Sequence, residues 1–513
     1  MPILFDPNNV TSNPSDPRLV NSDDSAATDF DVLGVTGTLN WEADSFSIKS
    51  ITGFYNNEIA PRTGFDQYNA TIPDPADPTL PPFTFFIPPP PGSGLPPTPI
   101  TDGSAFDFLI GRSSGLGISF VNDSTQISQE INVASATDGP FEWIAGLYYF
   151  REQVDFVLEG DALPHLFFTP LNPAFAGFPE FGLFNSADFT SRSYAAFASG
   201  TYSFGDAVRI RGGVRYNYDE KEADLVEHVP VSGIVLAQDS PNEDWSAVTG
   251  NVGLDWFATE DTMIYGSISR GYKAGAINLV NSTDNIVDPE TIWSYEIGTK
   301  SRLLDNRLQL NTAAFYSDYK DLQVNFFEPG GVVLRNADSA EVIGVEVDVV
   351  AVPTDRITLT GAFAWTHAEY TEFVTDNPFT GETGVNLSGN RLNQTPEIAF
   401  NIGAEVILPV AESVAELTFF VDHTWKDEID YQAFNTGLTR GDSFGLTNLR
   451  LQARAPGAES WRVELFVNNV QNTDAVQSIQ LPPTLSPENS ANPLTAVHYR
   501  PPRTFGVTVG YDF

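Results

Sequence analysis

The chain contains no cysteine. Thiol catalysis, zinc–thiolate sites and disulfides are therefore excluded. It also lacks any run of 18 apolar residues, which excludes a helix that crosses a membrane. Basic residues are scarce, with 26 Lys and Arg against 67 Asp and Glu, for a formal charge of −41. Phosphate binding along a nucleic acid needs a basic face, so no nucleic-acid partner is expected. The acids read as solvated loop surface. The five histidines, His165, His228, His367, His423 and His498, are never spaced as metal ligands usually are. No G-x-S-x-G elbow, phosphate-binding glycine loop or H-E-x-x-H occurs. Neighbouring carboxylates such as Asp219 and Glu220, or Asp427 and Glu428, are commonplace in so acidic a chain. No catalytic residue, metal site or cofactor is expected, and the chain does not read as an enzyme.

At 513 residues the chain is too long for one ordinary soluble core of roughly 100–200 residues. A β-barrel escapes that limit by adding strands around a circle. Segments with period-2 alternation recur from about residue 30 onward. In Val208–Asp219, one face carries Val208, Ile210, Gly212, Val214, Tyr216 and Tyr218. The other carries Arg209, Arg211, Gly213, Arg215, Asn217 and Asp219. A strand separates these sets, whereas a helix would mix them. Val345, Val347 and Val349 alternate with Glu346 and Asp348 in the same way, as do Trp461, Val463, Leu465 and Val467 with Arg462 and Glu464.

The connections alternate too. Short turns are expected near Glu42–Ser45, Thr137–Pro140, Phe204–Ala207, Ala258–Asp261, Leu304–Arg307, Pro353–Arg356, Pro409–Glu412 and Ala455–Ser460. Long loops are expected near 60–123, 159–188, 225–243, 273–289, 320–338, 372–394, 432–442 and 472–496. Long loops all at one end are the pattern of an outer-membrane barrel. Aromatic content of 12% suits rings placed at a membrane boundary. The expected fold is all-β, a transmembrane antiparallel β-barrel region of about 17 strands, in a lipid bilayer and monomeric.

Residues 72–99 are rich in proline and contain Phe83, Phe85 and Phe86, which reads as an extended loop. The loop 159–188 carries Phe167, Phe168, Phe175, Phe178, Phe181 and Phe184. Phe167, Phe168, Phe175, Phe178 and Phe181 are candidate ligand contacts above the pore; a loop packing on itself is the plainer reading. The start, MPILFDPNNV, has neither a basic beginning nor the apolar stretch of a signal peptide. The organisation expected is a polar extracellular loop or truncated start over 1–29, then barrel over 30–513.

Several segments resemble the C-terminal half of TonB-dependent outer-membrane receptors, in particular the type found in sphingomonad- and Caulobacter-like bacteria. Ser267–Asn278, SISRGYKAGAIN, is similar to that family's S-R-G-Y-K-x-G motif, on Arg270, Gly271, Tyr272, Lys273 and Gly275. Tyr295–Gln323 resembles its Y-E-x-G-x-K block, on Glu296, Gly298 and Lys300. Arg335–Glu346, RNADSAEVIGVE, resembles a further element, and Ser128–Glu152 another, with Asn132 where a basic residue is common. Leu465–Thr473 is similar to the element before the last strand, with Gln471 and Asn472 in place of the usual acidic turn. The ending, with Tyr511 and Phe513 on one face, resembles the signal read by the barrel assembly machinery.

The resemblance implies a Gram-negative outer-membrane barrel of about 22 strands, with a signal peptide, a TonB box and a plug. Those N-terminal parts are not visible here. Counting back from Phe513, the first strand, Val32–Glu42, falls near the sixth of 22, and an incomplete gene or fragmentary record is expected rather than a natural plugless receptor. The function implied is uptake of a scarce solute, such as a siderophore, driven by the TonB complex in the full-length parent. A passive porin-like channel and a surface adhesin are the alternatives, and the small-molecule ligand is left open.

Overall fold

The computed structural model describes residues 27–64, 85–87, 98–100, 117–136, 139–162, 181–229, 234–280, 285–328, 331–377, 382–409, 415–455, 460–480 and 496–512. One antiparallel meander dominates them. Its wall strands are β1 Ala27–Glu42, β2 Phe46–Gly64, β3 Gly117–Ser135, β4 Phe141–Ala162, β5 Phe181–Phe204 and β6 Val208–Val229. They continue as β7 Asn242–Thr259, β8 Thr262–Lys273, β9 Glu290–Leu303, β10 Leu308–Glu328, β11 Gly331–Thr354 and β12 Ile357–Glu372. The last five are β13 Ile398–Leu408, β14 Glu416–Lys426, β15 Phe444–Arg454, β16 Ser460–Asn468 and β17 Thr504–Asp512. A short segment, Ile234–Asp239, continues the line of β7 along the outer end of β6. The eighteen strands of the sheet therefore occupy 17 wall positions.

Every wall strand pairs antiparallel with its sequence neighbours. Among the described residues, β1 pairs only with β2, and β17 only with β16. Seventeen alternating strands leave the first and last running in the same direction, so an antiparallel ladder cannot join these two edges.

All eight expected short turns separate consecutive wall strands. The outer connections differ more from the sequence reading. Residues 320–328 and 331–338 are strand rather than loop, because β10 and β11 stay paired out to Glu328↔Gly331. Likewise β4 and β5 stay paired out to Ala162↔Phe181. A hairpin in water needs no apolar face, so the alternation that marks a strand fades while its pairing continues. Strands of 22–24 residues, such as β4, β5 and β11, far exceed the roughly 9–11 that cross a bilayer. The strands β13 to β17, of 9–11 residues, are close to a bare crossing.

The outward face is a continuous apolar belt. One cross-strand row runs Ile210, Leu254, Gly266, Ile297, Ala314, Val345 and Trp365. Ile297 is 62% exposed and Val214 54%, exposures that make sense only against lipid. Two bands of rings bound the belt. Toward the long loops, Tyr149, Tyr194 and Tyr218 stand side by side, with ring centroids 5.3 and 6.3 Å apart, and Tyr295 faces Tyr316. Toward the short turns lie Phe141, Tyr202 and Phe204. Eight residues separate Tyr194 from Tyr202 on one strand. At about 3.3 Å per residue, tilted by about 40°, this gives a belt of roughly 20 Å, close to the height of an outer-membrane apolar band.

The lumen face is polar. Arg211 Nε donates to Asp255 Oδ1 at 3.2 Å, and the Arg215 guanidinium lies over the rings of Tyr148 and Phe197. Placing a charge outward should therefore cost far more than placing one inward. Val214→Arg is expected to lower folding stability in lipid vesicles by about 2–4 kcal/mol. Ser269→Arg, on the lumen face of β8, should fold almost as the parent does. Asn217 is a poorer lumen probe than it looks in sequence, because its Oδ1 accepts from Arg215 Nε at 2.6 Å. Denaturant titrations of vesicle-inserted protein measure the difference, and equal losses would refute the face assignment.

Candidate functional site: the loop cap and the lumen wall beneath it

Glu296, Gly298 and Lys300 alternate along β9, so all three face the lumen. One side chain on the neighbouring strand explains their spacing. Tyr265 donates its hydroxyl to Glu296 Oε1 at 2.6 Å, and its ring lies 5.6 Å from Lys300 Nζ. Between these contacts the ring covers Gly298, where a Cβ would lie 2.6 Å from it and 2.5 Å from Thr312 O. Glu296 and Lys300 thus meet through Tyr265. Gly344 is covered by the Phe315 ring in the same way. Tyr265 escapes a sequence reading because it sits on another strand, and only the register, Tyr265↔Gly298, brings it there.

The Arg270–Gly275 motif leads from the wall into the cap. Arg270 lies on the outward face, opposite Trp293, and its Nη1 donates to Val248 O at 2.8 Å. Gly271 faces Ile292, whose Cγ2 would be 2.6 Å from a Cβ. Tyr272 and Lys273 end the strand opposite Thr291 and Glu290. At Gly275 a Cβ would run into the Trp245 ring, and Lys221 Nζ donates to Gly275 O at 2.6 Å. The chain then turns across the mouth of the wall. Ile277 is buried against Ala187, Ala223 and Leu225, which lie on the lumen side of β5 and β6.

Three outer connections share a second apolar core. Phe326, Val333 and Ala337 come from the β10–β11 hairpin, Phe373 and Leu387 from the connection after β12, and Ala433 from the connection after β14. They seat on Ala340 and Tyr370 of the upper wall, both about fully buried. Polar clasps join the same parts. Asn336 Nδ2 donates to Asp288 O and Asp321 O, while its Oδ1 accepts from Asp288 N. Gln323 Nε2 donates to Ala274 O and Asp288 O. Asn278 closes a two-way bond with Leu334. Asn435, at φ 49°, exchanges bonds with the backbone of Arg391. Asp430, 1% exposed on its side chain, is held by Arg440 through two bonds of 2.8 and 3.2 Å. That pairing raises the Arg440 pKa, despite some burial.

The cap contains a polar cavity of about 360 Å³, among whose lining residues are Asn278, Arg335, Asn336, Thr375 and Asp376. Arg335 Nη1 donates to Thr375 Oγ1 at 3.3 Å, and Asp376 Oδ1 accepts from Gly384 N at 2.9 Å. A guanidinium and a carboxylate facing one space, framed by amides that are themselves bonded to backbone, can hold a small polar solute. Asn278 and Asn336 come from motifs noted in the sequence, but their meeting does not show there. Phe167, Phe168, Phe175 and Phe178 lie outside the described residues, and Phe181 begins β5 opposite Ala162. His165 lies outside them as well. His367, His423 and His498 sit apart, next to Glu369, Thr447 and Ser478. Among the described residues no group of three His, Asp or Glu side chains is placed to hold a metal ion. Tyr511 faces outward opposite Trp461; Phe513 lies outside the described residues.

Residues 2–470 match the family model for the TonB dependent receptor-like β-barrel. The chain belongs to that family. It is 30% identical to the pesticin receptor of Yersinia enterocolitica over 162 residues, 31% of this chain and 23% of the relative. The fold is that of the ferric yersiniabactin uptake receptor FyuA from Yersinia pestis (TM-score 0.69, 16% identity, 99% of this chain and 65% of that one). It is also that of the siderophore receptor PiuA from Acinetobacter baumannii (TM-score 0.67, 16% identity, 96% of this chain and 65% of that one). The chain therefore spans just under two thirds of each of these two solved receptors. Family members are receptors and transporters rather than enzymes, work with TonB, and reside in the Gram-negative outer membrane. The apolar belt and its ring bands belong to that membrane.

Two changes test the site's construction. Gly298→Ala should destabilise the wall by about 1–3 kcal/mol through overpacking against Tyr265 and Thr312. Gly37→Ala, where nothing lies within 4 Å of the added Cβ, should cost almost nothing by comparison. Thermal unfolding followed by gel mobility separates the two. Arg440→Ala leaves the Asp430 carboxylate without its guanidinium, at a cost of about 1–3 kcal/mol. Limited proteolysis of intact cells should then cut residues 427–443 faster while the wall resists as before.

Proposed function

We propose that this chain forms the wall and solute-facing cap of an outer-membrane receptor that takes up a scarce metal chelate, of the siderophore kind, with energy from TonB. The observation that carries this reading is the convergence of the family motifs on the cap cavity. Asn278 and Asn336, from motifs almost sixty residues apart, both line it, and Arg335 and Asp376 add a charge of each sign. Ferric chelates present carboxylate, hydroxamate or phenolate oxygens, and such a space answers them with donors of fixed direction. The relatives point the same way, since FyuA and PiuA are a ferric yersiniabactin uptake receptor and a siderophore receptor by title. On this reading the cap binds and releases its solute unchanged, and the receptor performs no chemical reaction.

The test is uptake by cells. A strain deleted for the locus should lose energy-dependent accumulation of at least one radiolabelled ferric or other metal chelate. Arg335→Ala in the restored gene should weaken binding of that chelate to cells by about tenfold, in line with loss of a charge-assisted bond. Unchanged uptake of every chelate by the deletion strain would overturn the assignment.

A further inference from the structure

The ring band toward the long loops contains an arrangement that a membrane boundary does not require. Tyr149 of β4, Tyr194 of β5 and Tyr218 of β6 occupy directly opposite positions on three successive strands. Their ring centroids are 5.3 and 6.3 Å apart. Further round the wall Tyr295 of β9 faces Tyr316 of β10, with centroids 6.4 Å apart and planes 29° from parallel. Among the described ladders, tyrosine faces tyrosine only at these positions. In the band near the short turns, Tyr202 has Phe141 and Phe204 as its ring neighbours instead. A boundary ring needs an apolar body and a polar tip, which one tyrosine or tryptophan supplies alone. It does not need one phenol against another.

Two further features bear on phenol chemistry. In each group one phenol has a carboxylate as its partner. Tyr218 Oη donates to Glu220 Oε1 at 3.2 Å, and Tyr316 Oη donates to Glu341 Oε2 at 3.3 Å. A carboxylate so placed accepts the phenolic proton as an electron leaves. The rings are also open to the bilayer, with Tyr194 41% exposed. Directly opposite side chains have Cβ atoms about 4.5–5.5 Å apart, which brings the ring carbons ortho to the two hydroxyls within reach through side-chain rotation.

We propose that this row is a site of oxidative modification, where Tyr194 couples to Tyr149 or Tyr218 as dityrosine when peroxyl radicals form in the outer leaflet. Each phenol gives up one hydrogen atom, as a proton and an electron, and each peroxyl radical becomes a hydroperoxide. At Tyr218 the Glu220 carboxylate holds the proton in transit. The two phenoxyl radicals then join through a carbon–carbon bond between ring positions ortho to their oxygens. The hydrogen on each joined carbon moves to the oxygen of its own ring, which restores both phenols. Two tyrosines and two peroxyl radicals thus yield one dityrosine and two hydroperoxides. The product staples two wall strands and ends two radical chains at headgroup level. Tyr295 and Tyr316 form a second such pair. The inference rests on the wall's place in the membrane and is independent of which solute is taken up.

The experiment exposes the full chain in lipid vesicles, under air, to an oil-soluble azo initiator, which generates peroxyl radicals within the bilayer. Cross-linked tryptic peptides are then mapped by mass spectrometry. Arg151, Arg192, Arg209 and Arg215 place Tyr149, Tyr194 and Tyr218 in different tryptic peptides. The wild-type chain should show Tyr194 joined to Tyr149 or to Tyr218, each product lighter than its two peptides by two hydrogens. Tyr194→Phe keeps the ring and should lose both products, while the Tyr295–Tyr316 product persists and reports an intact wall. Glu220→Gln should shift coupling from Tyr218 toward Tyr149. Oxidised tyrosines without these products in the wild-type chain would overturn the proposal, and that outcome needs no variant to fold. Products whose yield rises with the protein-to-lipid ratio would also overturn it, because the coupling would then join separate molecules.

Discussion

In a bilayer core no water is available to the backbone, so every N–H and C=O in the belt must find a partner in the next strand. The rest of the molecule follows from that requirement. Seventeen wall positions are held by ladders between sequence neighbours. Side chains on the lipid side are released from hydrogen bonding and become apolar. Those on the lumen side are free to be charged, as Arg211, Asp255 and Glu296 are. The same requirement applies to the unpaired edges of β1 and β17, which have ladder partners on one side only among the described residues.

The lumen wall shows how a motif acquires physical meaning. Gly298 and Gly344 are glycine because rings from adjacent strands, Tyr265 and Phe315, occupy the space a side chain would need. Glu296 and Lys300 flank Gly298 because the Tyr265 hydroxyl reaches one and its ring face the other. Above the membrane the governing force changes. There, water surrounds the hairpins, and the loops are organised by a conventional apolar core around Phe326, Tyr370 and Phe373, tied by the amides of Asn278, Gln323, Asn336 and Asn435. The cap is thus a small soluble-type fold seated inside the mouth of a membrane wall.

This division also explains what could be read from sequence. Inside the membrane one face must be apolar and the other need not be, so alternation is strong, and the strands and all eight short turns are legible. Beyond the ring bands that constraint ends. Residues 320–338 carry mixed side chains and read as loop, although β10 and β11 pair through them. The cap core was illegible because its members, such as Val333, Leu387 and Ala433, lie far apart in the chain and sit among polar residues.

The account turns on the claim that alternate residues of the wall face lipid and water, and the absence of native cysteine allows a direct test. Single cysteines placed in turn at Val345, Glu346, Val347 and Asp348 of β11, in protein inserted in vesicles, can be challenged with a membrane-impermeant and a lipid-soluble thiol reagent. The account predicts that Glu346→Cys and Asp348→Cys react with the impermeant reagent, and that Val345→Cys and Val347→Cys react only with the lipid-soluble one. Reactivity without that two-residue period would contradict it.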